Sequence, residues 1–68
     1  MKMLYGLTPT ESRLADLLLE GIDVREMAVR LGITIETARF HLKRVLAKTG
    51  TRRQAELMRL MLSLLGNQ

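Results

Sequence analysis

The stretch that most restricts the fold runs from Ile33 to Thr49, bracketed by Gly32 and Gly50. Laid on a helix at about 100° per residue, its side chains separate into two unlike faces. Ala38, Leu42, Val45, Leu46 and Thr49 gather on one side, with His41 at its edge. Glu36, Arg39, Phe40, Lys43 and Ala47 gather on the other. The first side is a core stripe. The second carries an aromatic ring among cations and one acid, so it is suited to a negatively charged surface, and the major groove of DNA is the surface we expect. His41 at the boundary reads as a packed, hydrogen-bonded structural residue, because partners for a catalytic or metal role are missing from the sequence.

The distribution of charge points the same way. From Thr34 to Arg53 six cations (Arg39, Lys43, Arg44, Lys48, Arg52, Arg53) stand against the single anion Glu36, a net +5. From Met1 to Ile33 four cations face five anions, a net −1, and after Arg53 the charges of Glu56 and Arg59 cancel. The whole excess of +4 therefore lies in one block of the chain. A segregated basic block selects a polyanion more strongly than a uniformly high pI does.

Length and composition narrow the alternatives. Sixty-eight residues make one domain, and a chain this short buries only about 60% of the surface it exposes when unfolded. An apolar fraction of 47% argues against disorder. With no Cys and one His, thiolate chemistry, disulfides and a protein metal site are not expected, and no cofactor is implied. No nucleophile–base pair, paired inward carboxylates or phosphate-binding glycine loop is visible, so an enzyme is not expected. Residues 1–7 are too short for the apolar region of a signal peptide, and no run approaches the ~18 apolar residues of a membrane span. The expected setting is the cytoplasm, with no membrane partner.

Helix signals divide the chain into four. Thr8 caps, Pro9 suits the first helical position and Glu11 completes a capping box, opening a helix over about 9–20 whose stripe is Leu14, Leu17 and Leu18 and whose stop is Gly21. Asp23 and Glu26 form a second capping box for a helix over 24–31, with Met27, Ala28 and Leu31 inward. Gly32 ends it, Ile33 pins the turn, and Thr34 caps the helix over 35–49. Gly50 stops that helix. Thr51, with Gln54 three residues later, is expected to start a fourth over 52–65, which would put Arg52 and Arg53 in its first turn, against the helix dipole. No stretch alternates as a strand does, and residues 1–6 are expected to be flexible. The fold class is all-α, and the succession of short helix, glycine turn and longer helix is helix-turn-helix organisation.

Helix 4 is unusually apolar. Ala55, Leu57, Met58, Leu60, Met61, Leu62, Leu64 and Leu65 cover more than the ~100° arc a surface helix needs, and the excess predicts a partner surface.

Leu7-Thr8-Pro9-x-Glu11, Leu17-Leu18, Gly21, Glu26-Met27-Ala28, Leu31-Gly32-Ile33, Thr37, His41-Leu42 and Lys48-x-Gly50 together resemble the LuxR-type (GerE or FixJ-like) DNA-binding domain of bacterial transcription regulators. The resemblance runs from about Leu7 to Leu62 and takes in all four helices. It implies that helix 3 enters the major groove, helix 2 supports it, and helix 4 forms a two-fold homodimer, here through Leu57, Leu60, Met61 and Leu64. It places Arg39, Phe40 and Lys43 at base-contacting positions, and Thr34 and Thr37, with Lys48, Arg52 and Arg53, at phosphates. RNA polymerase is a further partner implied for such a regulator. Two residues depart from the family pattern: Ala38 where Val is common, and Phe40 where the base-facing residue is usually smaller, so no relative's target sequence transfers. Relatives usually carry a receiver or ligand-binding domain ahead of this one; a stand-alone short regulator and an excised C-terminal domain both fit, the second slightly better.

The chemistry of these residues agrees with those roles. Arg39 suits a bidentate contact to guanine O6 and N7, and Lys43 suits a base or a phosphate. The Phe40 ring either packs on a thymine methyl or leans over helix 2. Arg44, Lys48, Arg52 and Arg53 suit phosphates, which position a protein without specifying sequence. Two other readings compete: a protein-interaction module that docks through helix 4, and promoter binding in the manner of sigma-factor region 4.

Overall fold

A computed structural model describes residues 6–65 of the chain. It contains four helices, α1 (Pro9–Leu19), α2 (Val24–Leu31), α3 (Ile35–Thr49) and α4 (Gln54–Leu64). Among the described residues there is no strand, in agreement with the all-α expectation. The expected flexibility of residues 1–6 falls, but for Gly6, outside the described residues.

Each of the first three helices starts where a short polar side chain replaces a missing backbone partner. Thr8 Oγ1 accepts from Glu11 N at 3.1 Å while Glu11 Oε1 accepts from Thr8 N at 2.9 Å, a complete capping box. Asp23 Oδ1 accepts from Glu26 N at 2.9 Å, but the reciprocal half expected of Glu26 is missing. Its carboxylate turns instead to Arg30 Nε, 3.3 Å away and one turn along α2. Thr34 Oγ1 accepts from Thr37 N at 3.1 Å and caps α3.

α4 begins two residues later than expected, and the reason is local. The Thr51 hydroxyl does not cap α4 but turns back towards α3, 3.0 Å from Thr49 Oγ1. Arg53 becomes the N-cap residue and makes no side-chain cap bond. Glu56 satisfies the segment instead, accepting from Arg52 N at 2.8 Å. Arg52 and Arg53 thus precede the first turn of α4 rather than occupying it.

The turn between α2 and α3 needs a glycine. Gly32 has φ 69° and ψ 35°, the left-handed region that side chains disfavour. That conformation lets Ile33 N reach Ala28 O at 3.0 Å and Gly32 N reach Val29 O at 3.2 Å, closing the last carbonyls of α2. Gly50, φ 71°, closes α3 with the same pattern, Thr51 N to Leu46 O at 3.0 Å and Gly50 N to Ala47 O at 3.2 Å.

The core is aliphatic. Leu7, Leu14, Ala15 and Leu18 from the α1 region pack with Met27 of α2, Val45 of α3, and Leu57 and Met61 of α4. α3 makes its most extensive contacts with α1 and α2, and Ala38 and Ala28 are both buried. Small side chains there let helix backbones approach closely. Leu57 and Met61, expected at a dimer interface, are 0% and 2% exposed. They form the monomer's own core and are closed to a partner. No helix among the described residues is long and apolar enough to cross a membrane.

Candidate nucleic-acid interface

α3 is anchored along one side and open along the other. Ala38 and Val45 are buried, while Glu36, Arg39, Phe40, Lys43, Arg44 and Ala47 are exposed. Glu36, Arg39, Phe40 and Lys43, together with Leu42 and Leu46, line an open depression of about 490 Å³. The three residues expected to contact bases therefore share one surface, and Glu36 shares it with them.

Phe40 is 55% exposed and does not fold away into the protein. Its ring stands edge-on to His41, centroids 5.8 Å apart at 64°, and the Arg44 guanidinium lies 5.7 Å from its centroid, within cation–π range. His41 is not hydrogen-bonded as expected: its Nδ1 is buried and has no hydrogen-bond partner among the described residues.

The cations divide into two groups. Arg44 Nε donates to Glu11 Oε2 at 3.1 Å, and Lys48 Nζ donates to Glu11 Oε1 at 2.7 Å and to Gly6 O at 3.1 Å. Glu11 is 1% exposed. Its burial alone raises the pKa, but the hydrogen bond from Lys48, the Thr8 backbone N–H and Arg44 together outweigh that and hold it at about 2. Arg44, though half exposed, and Lys48 are ion-paired to Glu11 of α1, whereas Arg39, Lys43, Arg52 and Arg53 are exposed and join no such pair among the described residues. Reasoning from the sequence identified Glu11 only as a cap, because nothing local links it to residues of α3.

At the start of α3 the Thr34 hydroxyl donates to Thr37 Oγ1 at 2.9 Å. Thr37 Oγ1 is thus the acceptor of that pair, and its own proton is left to donate outward. No group of three or more His, Cys, Asp or Glu placed to hold a metal occurs among the described residues.

On α4 the residues named for dimerisation separate. Leu57 and Met61 are buried, Leu60 is half-buried and Leu64 is exposed. Ala55, Leu62 and Leu65 are exposed and Met58 is half-buried. At spacings of three and four these last four lie along one side of the helix, a stripe distinct from the core-facing one.

Comparison with known proteins identifies the family. The family model described as bacterial regulatory proteins, luxR family, matches residues 5–61. The C4-dicarboxylate transport transcriptional regulatory protein DctR of Rhodobacter capsulatus is 44% identical over 50 residues, which cover 74% of this chain and 25% of that relative. The chain thus spans about a quarter of the length of the curated relative it matches. No solved structure matches it significantly. The matched residues contain the whole of α1, α2 and α3 with both glycine turns and α4 as far as Met61, and on that basis the chain belongs to the luxR family of bacterial regulatory proteins, whose helix-turn-helix serves DNA-binding transcription regulation.

Proposed function

We propose that the chain reads double-stranded DNA sequence-specifically, with α3 in the major groove and two copies paired through α4. The observation that carries this reading is the division of α3: Arg39, Phe40 and Lys43 stand exposed around one depression, while Arg44 and Lys48 are held by Glu11. A face meant only to be soluble has no need of that sorting. Arg39 contacts guanine, Lys43 a base or phosphate, and Phe40 a pyrimidine C5 edge. Thr34, Thr37, Arg52 and Arg53 hold phosphates and set the register. Lys48 and Arg44 orient α3 on α1 through Glu11, and Arg44 also lies over the ring of Phe40.

Pairing uses the stripe Ala55, Met58, Leu62 and Leu65, with Leu64 beside it. Leu62, Leu64 and Leu65 are 54%, 42% and 64% exposed, three large apolar side chains grouped at one end of α4, as an interaction surface requires. A two-fold pair of α3 helices demands two inverted half-sites about one helical turn apart.

The test is selection of bound molecules from a randomised duplex pool at two salt concentrations, with the wild type and the Arg39→Glu, Lys43→Glu double variant. Enrichment of an inverted repeat by the wild type and its loss in the variant is the expected result. Binding without enrichment, weakening by about 0.9 in log K per phosphate for each unit of log salt, would reduce the interface to a basic surface. No binding at low salt would transfer the function to protein docking through α4.

A further inference from the structure

Glu36 is the one anion on a face whose other charged residues, Arg39 and Lys43, are cations. It lines the depression beside Arg39, Phe40 and Lys43, and it is exposed. Ion pairs join Arg30 to Glu20 and Glu26, and Arg44 and Lys48 to Glu11, and among the described residues Glu36 has no such partner. Along the helix a cation would pair with it from three or four residues on; the first of these positions is Arg39, which shares the depression but is not ion-paired to it, and the second is Phe40. Its place in the first turn of α3 favours the helix dipole, but any acid in that turn would serve equally. On a surface that approaches phosphates, an unpaired carboxylate is repelled unless it meets hydrogen-bond donors.

An ionised carboxylate only accepts, and this restricts what it can face in the major groove. Guanine offers N7 and O6, both acceptors, and thymine offers O4 and a methyl group. Only the amino groups of cytosine and adenine donate. Adenine sets the N7 acceptor beside its amino group, against the second carboxylate oxygen. Cytosine sets the C5 edge beside N4, apolar and suited to an aromatic ring. Phe40, one turn along the same side of α3, provides that ring.

We propose that Glu36 is a specificity-determining residue that accepts a hydrogen bond from a cytosine N4 amino group, with Phe40 against the adjoining pyrimidine C5 edge. This rests on the placement of α3 in the major groove and assigns one base of the target.

Selection from a randomised duplex pool by the wild type, Glu36→Ala and Glu36→Gln tests it, with thermal unfolding of each protein alongside. The wild type is expected to favour a C·G pair at one position about tenfold. Glu36→Ala should flatten that position alone while binding unrelated duplex more tightly, since a like charge is gone. Glu36→Gln should move the preference to adenine, which an amide matches through N6 and N7. N4-methylcytosine at that position should weaken wild-type binding about tenfold and leave Glu36→Ala unchanged, which separates reading of cytosine from reading of its paired guanine. Identical motifs from all three proteins would overturn the assignment and leave Glu36 a helix-terminus charge on an otherwise valid DNA reader. An equal effect of N4-methylcytosine on both proteins would overturn it too. A wild type that enriches no motif would overturn both this assignment and sequence-specific binding.

Discussion

Glu11 and Lys48, 37 residues apart in the chain, meet with Oε1 2.7 Å from Nζ, and the other carboxylate oxygen takes Arg44 Nε at 3.1 Å. One buried acid of α1 therefore fixes two cations of α3. The contact is at once a tether between helices and a sorting of charge, because it turns these two cations towards the protein and leaves Arg39 and Lys43 to the outside.

Stability should depend on pH through this acid. Its carboxyl is held at about 2 against an ordinary value of 4.5. A depressed pKa means that the stabilisation is complete above about 4.5 and disappears as pH falls from there towards 2. Glu11→Gln should lower stability by about 2 kcal/mol at pH 7. Arg44 is half exposed to solvent, so the loss stays below that of a fully buried pair. Urea unfolding of both proteins at several pH values checks this: the gap should narrow below pH 4.5 and close near 2, and a constant gap would contradict the ion-pair origin.

DNA binding should separate base readers from phosphate holders. Arg39→Ala should cost about 1–3 kcal/mol on the selected sequence and little on unrelated duplex. Arg53→Ala should weaken binding alike on both and reduce the salt slope by about 0.9. Titrations of both duplexes over a range of salt measure the two effects side by side. Equal losses for the two variants on both duplexes would mean that α3 does not read sequence.

The two sides of α4 should respond in opposite ways. Leu57→Ala removes a fully buried side chain and should cost about 2–5 kcal/mol of folding stability. Replacing Leu62 and Leu65 by Ser should leave the monomer's stability within about 0.5 kcal/mol, as for ordinary surface changes, yet abolish pairing on DNA. Denaturant unfolding and sedimentation on a duplex with two half-sites distinguish the outcomes. A double variant that still pairs would move the interface elsewhere.

Gly32→Ala should destabilise by about 1 kcal/mol. A Cβ at this glycine would meet nothing within 4 Å, so the cost comes from the left-handed backbone alone. Asn, which tolerates that conformation better, should cost less than Ala in the same denaturant series. Equal losses for both would point to a cause other than φ.

What was legible in the sequence is what local chemistry decides. Thr8, Asp23 and Thr34 cap because each side chain reaches an N–H three residues ahead, and Gly32 and Gly50 end helices by their own conformation. The face of Arg39, Phe40 and Lys43 follows from helical period alone. Contacts between distant parts of the chain were not legible. Nothing near Glu11 announces Arg44 or Lys48, and the apolar arc of α4 is too wide for periodicity to say that Leu57 and Met61 point inward while Leu62 and Leu65 do not. Thr51 looked like a cap because its type and spacing suit one. The carbonyl ends of α3 and the Thr49 hydroxyl drew it the other way.

Backbone hydrogen bonds at Gly32–Ile33 and Gly50–Thr51 clamp α3 at its two approaches, and its inner stripe and the Glu11 contact hold its length. The main structural duties of α3 thus fall on residues other than Glu36, Arg39, Phe40 and Lys43, whose parts are a favourable charge at the helix start and the ring contacts of Phe40. Mutation can rewrite those four with little risk to folding, so a DNA reader of the proposed kind would be free to acquire new operators while its architecture stays fixed. A library randomised at only these four positions should consequently be rich in folded members that differ in the DNA they prefer.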